Sequence, residues 1–83
     1  MNITSIDLNL LRAFDVLMKE RSVTRAAKVL NLTQPAMSNV LRRLREALDD
    51  PVLVRTGQGM QPTPKAMSIA CEVRAGLTLI TKS

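Results

Sequence analysis

The chain has 83 residues, enough for one small domain, and 46% of them are apolar, which is the composition of a folding chain and not of a disordered one. Twelve Lys and Arg against seven Asp and Glu leave a net charge of +5, a balance that favours a polyanionic partner. With no His and a single Cys, Cys71, the chain cannot assemble the usual four-ligand zinc site or an internal disulfide, and catalysis near neutral pH would have only carboxylates and lysines to work with.

The first apolar periodicity runs from Asp7 to Lys19. Leu10, Leu11, Phe14, Leu17 and Met18 recur at three- and four-residue spacing and so share one helix face, with Asp7 as its expected N-cap. Val16 falls on the opposite face and is free to meet a second partner. A shorter helix is expected over Val23–Leu30, capped by Ser22 and closed by Asn31, a residue that tolerates the left-handed conformation at a helix end. Val23, Ala26, Ala27 and Leu30 form its buried side, and the small Ala26-Ala27 pair lets another helix approach closely. Leu32, the apolar residue of the following turn, is expected to tuck into the core.

The third helix carries the most information. Thr33 is a candidate N-cap and Pro35 falls in the first turn, where a missing N–H costs nothing. At roughly 100° per residue, Ala36, Met37, Val40, Leu41, Leu44, Ala47 and Leu48 gather on one side. Gln34, Pro35, Ser38, Asn39, Arg42, Arg43, Arg45 and Glu46 gather on the other. One face is core; the other presents amides, a hydroxyl and guanidinium groups. Asp49-Asp50-Pro51 ends the helix. Val52–Arg55 reads as a short strand, Gly57-Gln58-Gly59 as a turn and Met60-Gln61 as the returning strand. A two-stranded hairpin is marginal alone, so it must lean on the helices. Thr63-Pro64 opens a last helix reaching about Thr81. Ala66, Ala70, Val73, Leu77 and Ile80 are spaced four, three, four and three along it, a heptad seam suited to dimerisation. Met67 and Cys71 broaden that stripe, and Cys71 reads as a packing residue. A helix packed on its own domain accounts for the same seam.

The charge is concentrated. Residues 21–48 hold six bases, five of them Arg, against one acid. Arg suits forked contacts with phosphate and guanine. Two short helices joined by a tight turn, the second polar and basic outward, make a helix-turn-helix, whose second helix enters the major groove and reads base edges from its N-terminal residues. Gln34, Ser38, Asn39 and Arg42 have the residue types for base contact there, and Pro35 can meet a thymine methyl. The hairpin becomes a wing, whose Arg55 and Gln58 can reach the backbone or the adjacent minor groove. The fold class expected is therefore mainly α: a winged helix-turn-helix over residues 1–63, with the wing at 52–62, followed by a dimerisation helix over 64–83.

The chain also resembles the N-terminal domain of the LysR-type transcriptional regulators. The residues that carry the resemblance are Asp7-Leu8-Asn9-Leu10-Leu11, Ser22-Val23-Thr24-Arg25-Ala26-Ala27, Leu32-Thr33-Gln34-Pro35-Ala36-Met37-Ser38, and Leu53-Val54-Arg55 with Thr63-Pro64 following. The opening segment and Gly59-Met60-Gln61-Pro62-Thr63 look most like the LeuO and NodD branch. Asn39 departs from the family, many members of which carry Arg there. The resemblance implies a homo-oligomeric bacterial regulator, usually a tetramer built from dimers, that binds interrupted palindromes in double-stranded DNA. It implies DNA contacts by Ser22, Thr24, Arg25, Thr33, Gln34, Pro35, Ser38, Arg55, Gly57 and Gln58, to which residue type, face and charge add Asn39, Arg42 and Arg43, and a dimerising linker helix at Ala66, Ala70, Val73, Leu77 and Ile80. It also implies a larger C-terminal domain for a small-molecule co-inducer, which these 83 residues do not contain, so the chain looks like a fragment.

The principal competing expectation is a protein-interaction module, in which the winged domain serves as an oligomerisation platform with little sequence-specific DNA binding. RNA modules stack bases on aromatic side chains, and Phe14 is the single aromatic residue. No phosphate-cradling Gly loop is present, and no enzyme activity or cofactor is expected. The N-terminus lacks the basic and apolar regions of a signal peptide and no apolar run is long enough to span a bilayer, so the expected place is the cytoplasm, at the nucleoid, away from membranes.

Overall fold

The computed structural model describes the backbone of residues 8–82 and the side chains of residues 9–76. The elements follow in the order α1 (Leu8–Glu20), α2 (Val23–Leu30), α3 (Gln34–Leu48), β1 (Leu53–Thr56), β2 (Gly59–Pro62) and α4 (Pro64–Lys82). The cap expected at Asp7 lies outside the described residues.

Each helix boundary has a local cause. Ser22 stays extended and accepts the Arg25 N–H at 3.2 Å, and Thr33 does the same for Ala36, also at 3.2 Å. Arg21, Asn31 and Asp49 then close α1, α2 and α3 in the left-handed region, at φ of 53°, 56° and 50°. Behind Asn31, the Leu32 N–H reaches the Ala27 carbonyl at 2.8 Å. That bond completes the tight turn between α2 and α3, while 40% of Leu32 is left exposed. The expectation that Leu32 tucks into the core is corrected: the cap fixes its backbone and aims its side chain outward. Val16, by contrast, is half-buried and packs on the core.

The core is built from α1, α2, α3 and α4 together with the base of the hairpin. Phe14 and Leu17 of α1, Met37 and Leu44 of α3, and Val52 and Leu53 at the hairpin's base are essentially fully buried. Ala26 and Ala27 are buried between α2 and its neighbours, consistent with close helix approach. The inner face of α3 is the one expected, with Met37, Leu41, Leu44 and Leu48 buried.

The strands pair antiparallel, with Leu53 opposite Pro62 and Thr56 opposite Gly59. Gly57 and Gln58 make the turn, which Thr56 closes by donating its hydroxyl to the Gly59 carbonyl at 3.0 Å and accepting the Gln58 N–H at 3.1 Å. Gly59 has a φ of 101°, a conformation open to glycine and strained for other residues. The hairpin does lean on the helices. Arg45 of α3 donates to the carbonyls of Pro51 and Leu53 at 2.8 and 3.2 Å. Val52 is held at a φ of 68°, costly for a β-branched residue, yet its side chain is fully buried. Asp50 accepts the Val52 N–H at 2.8 Å and the Thr63 hydroxyl, and the Thr63 N–H bonds the Val52 carbonyl at 3.0 Å. Complete hydrogen bonding and burial together hold this strained residue in place.

Helix α4 packs back along α1, and Arg74 reaches Asp15 at 3.3 Å. Ala66 and Val73 are buried within the chain and Ala70 is half-buried. Ala66 and Val73, two of the expected seam positions, are thus covered within the single chain, on a helix that packs against α1. Met67 is 52% exposed and Cys71 is exposed as well, so the reading of Cys71 as a packing residue does not hold within one chain. Leu77 and Ile80 belong to α4, but their side chains lie outside the described residues.

Candidate nucleic-acid interface

The outer face of α3 is built by two local devices. The Thr33 cap and Pro35 in the first turn start the helix with its N-terminal residues exposed. Four leucine- or methionine-sized anchors on the inner face then set its rotation, so that Gln34, Pro35, Ser38, Asn39, Arg42, Arg43, Arg45 and Glu46 all stand exposed.

Between this face, the start of α2 and the wing runs an open trough of about 780 Å³. Ser22, Thr24, Arg25, Gln34, Ser38, Arg55 and Gln58, all expected from the sequence, line it together. Thr33 at the cap of α3, and Pro35, Asn39 and Arg42 on it, are exposed outside the trough lining, and Gly57 stands at the wing tip. Arg43 lines a different cleft, with Arg12 of α1 and Val29 of α2. Residues far apart in the chain complete the trough: Lys19, Glu20, Arg21, Met60 and Gln61 also line it. Arg21 donates to the Gln61 side-chain oxygen at 3.1 Å and so ties the α1–α2 turn to the wing. Sequence reasoning counted Arg21 in the basic stretch but gave it no role; its place beside the Ser22 cap was the available signal. Gln61 carried no such signal, because only the hairpin register brings it there.

Four bases, Lys19, Arg21, Arg25 and Arg55, line the trough against one acid, Glu20. Glu20 is engaged by Arg25, through its backbone carbonyl and at 3.5 Å through its carboxylate. On α3, Arg42 forks between the Asn39 side-chain oxygen and Glu46, both at 2.7 Å. The Gln34 side-chain oxygen accepts the Thr24 hydroxyl at 3.1 Å. The surface thus offers guanidinium groups for phosphates and short amide and hydroxyl groups for base edges.

Beneath α3, Asp50 has its carboxyl held below the usual carboxylate range. The Thr63 hydroxyl is the main cause, opposed by partial desolvation and helped by the Val52 N–H and the positive Lys65 nearby. Lys65 also donates to the Leu48 carbonyl at 2.8 Å, closing the C-terminal end of α3. Among the described residues, no group of three or more His, Cys, Asp or Glu side chains is placed to hold a metal ion, and no helix is long and apolar enough to cross a membrane.

A helix-turn-helix followed by a two-stranded wing, with a basic trough between them, defines a winged helix-turn-helix protein. The chain belongs to the bacterial regulatory helix-turn-helix proteins of the lysR family, whose description matches residues 8–67. It is 47% identical over 75 residues to the HTH-type transcriptional regulator LeuO of Escherichia coli (strain K12), covering 90% of this chain and 24% of LeuO. Nodulation protein D 2 of Sinorhizobium fredii (strain NBRC 101917 / NGR234) is likewise 47% identical, over 77 residues, with 93% of this chain and 25% of that protein covered. The probable transcriptional regulator PA0477 from Pseudomonas aeruginosa superposes with a TM-score of 0.88 at 41% identity, over 96% of this chain and 27% of that one. BenM_DBD in its catB site 1 DNA complex superposes with a TM-score of 0.84 at 27% identity, over 93% of this chain and 86% of that one. The chain spans about a quarter of the length of the curated relatives it matches.

Proposed function

We propose that this chain is the sequence-specific double-stranded DNA-binding part of a bacterial transcriptional regulator. The observation that carries this reading is the outward amide and guanidinium face of α3 standing beside a basic trough that the wing closes. In this reading α3 enters the major groove, Gln34, Ser38, Asn39 and Arg42 meet base edges, and Pro35 meets a thymine methyl. Thr33, Ser22, Arg25 and Arg43 lie along the backbone, Thr24 stands at the interface beside Gln34, and Arg55, Gly57 and Gln58 bring the wing to the adjacent phosphates or minor groove. The DNA complex of BenM_DBD, a similar fold at 27% identity, supports it. Residues 1–63 form the DNA-binding unit and residues 64–83 a linker helix that pairs two copies, whose recognition helices then fall about 34–36 Å apart, or a multiple of that, on an interrupted palindrome. In the whole protein, a separate effector domain binds a co-inducer and dimers associate into tetramers. The protein acts in the cytoplasm at the nucleoid, with no catalytic step of its own.

The test begins with selection of duplexes from a random pool by this chain. A defined half-site with two-fold symmetry is expected; equal recovery of all sequences would overturn the reading. On the selected duplex, Gln34→Ala should cost about 1–3 kcal/mol and relax one position. Arg55→Ala should weaken all duplexes and reduce the slope of log affinity against log salt by about 0.9.

A further inference from the structure

The turn of this helix-turn-helix contains a side-chain contact that bears on how α3 reads a base. Gln34 is the first residue of α3 and Thr24 the second residue of α2. The Thr24 Oγ1 lies 3.1 Å from the Gln34 Oε1. A carboxamide oxygen carries no hydrogen, so the threonine hydroxyl must supply the proton. The amide is therefore oriented, with its oxygen turned back to α2 and its NH₂ turned away from that bond. Both side chains are exposed and both line the trough. An unrestrained glutamine has two amide orientations related by a half-turn, and in an exposed position it also samples several rotamers. One orientation leads with a donor and the other with an acceptor. A tether on the oxygen selects the first and removes part of the ordering cost before DNA arrives.

We propose that Thr24 is a positioning residue that fixes the Gln34 amide, so that Gln34 meets the major groove donor first and selects a base offering an acceptor there. Those acceptors are N7 of either purine, O6 of guanine and O4 of thymine; cytosine offers only its N4 donor. The inference rests on α3 being the recognition helix. It separates Thr24 from the trough residues that act on phosphate. Replacing Thr24 changes base choice and leaves counterion release alone, whereas replacing a phosphate contact does the reverse.

The experiment uses the full chain and the duplex it selects from a random pool, with all four bases placed at the position that Gln34→Ala relaxes. Thr24→Val keeps the side-chain shape and removes the hydroxyl; Thr24→Ser keeps the hydroxyl. Thr24→Val is expected to reduce discrimination at that one position about three- to tenfold, in the lower part of the range of coupling between neighbouring groups. The salt slope should stay unchanged, Thr24→Ser should retain discrimination, and Thr24→Val should add nothing in the Gln34→Ala background. For the unsubstituted chain, cytosine should be the poorest of the four bases opposite Gln34. A uniform loss on all duplexes with a shallower salt slope makes Thr24 a phosphate contact and overturns the proposal, as does a preference for cytosine. If Gln34→Ala relaxes one position and Thr24→Val does not, the Thr24 assignment alone falls. If Gln34→Ala relaxes none, the reading of α3 falls with it. Thermal melts of both Thr24 variants establish that they fold.

Discussion

Arg42 shows how one side chain on α3 is divided between holding and binding. Its guanidinium is shared between the Asn39 oxygen and the Glu46 carboxylate, both at 2.7 Å. The ion pair is exposed and contributes little stability. Its electrostatic effect on an approaching phosphate is larger, because Glu46 both occupies an Arg42 donor and repels the polyanion. Glu46→Gln is therefore expected to tighten binding to all duplexes a few-fold and to steepen the salt slope, with little change in melting temperature; fluorescence anisotropy titrations over a salt series read both. Asp50 is the opposite kind of residue, one whose charge serves the fold. Its carboxyl is held low in the folded chain, chiefly by Thr63. A lowered folded value means the stabilisation is present above the ordinary carboxylate range, about 3.9, and is lost as pH falls through the still lower folded value. Asp50→Asn should lower the melting temperature at pH 7 and flatten the loss of stability below about pH 4. Equal acid dependence in the two proteins would remove Asp50 from that role.

At the scale of elements, capping and strain decide how firmly the reading face is presented. Thr33 satisfies the Ala36 N–H and fixes where α3 begins. Thr33→Ala should cost about 1 kcal/mol in denaturant unfolding. The wing depends on Arg45 at its base, on Arg21 against Gln61, and on the buried Val52 with its unfavourable φ. These are contacts between elements, so the sequence pattern revealed a hairpin without revealing what anchored it. Helix α4 makes the same point. Its four-three spacing marks an apolar stripe, but spacing does not identify which surface the stripe meets. Ala66 and Val73 meet the chain's own core, while Met67 and Cys71 remain outside. We expect a dimer built on α4 to use the exposed face that carries Met67. Met67→Lys is expected to weaken self-association in sedimentation velocity while leaving the monomer's unfolding free energy within about 0.5 kcal/mol of the parent. An unchanged dimer would return the interface to the remaining seam positions.

For the whole molecule, the charge excess becomes a surface only after folding. Residues 21–48 supply Arg21 and Arg25, Lys19 comes from α1 and Arg55 from the wing, and the four meet along one trough. A predominantly basic groove of this kind raises the association rate with a polyanion and makes it fall with ionic strength. The sequence alone determined the helix boundaries, the inner and outer faces of α3, the hairpin and the family, because caps, turn residues and 3.6-residue periodicity act locally and are written in neighbouring positions. Tertiary structure alone decided that Leu32 and Cys71 are exposed, that Ala66 and Val73 belong to the core, that Arg43 lines a separate cleft, and that Thr24 holds Gln34. Each of those outcomes depends on how one element sits against another. Apolar burial drives that packing without direction, so which partner covers a given stripe is settled by the sum of all the faces and not by the spacing within any one of them.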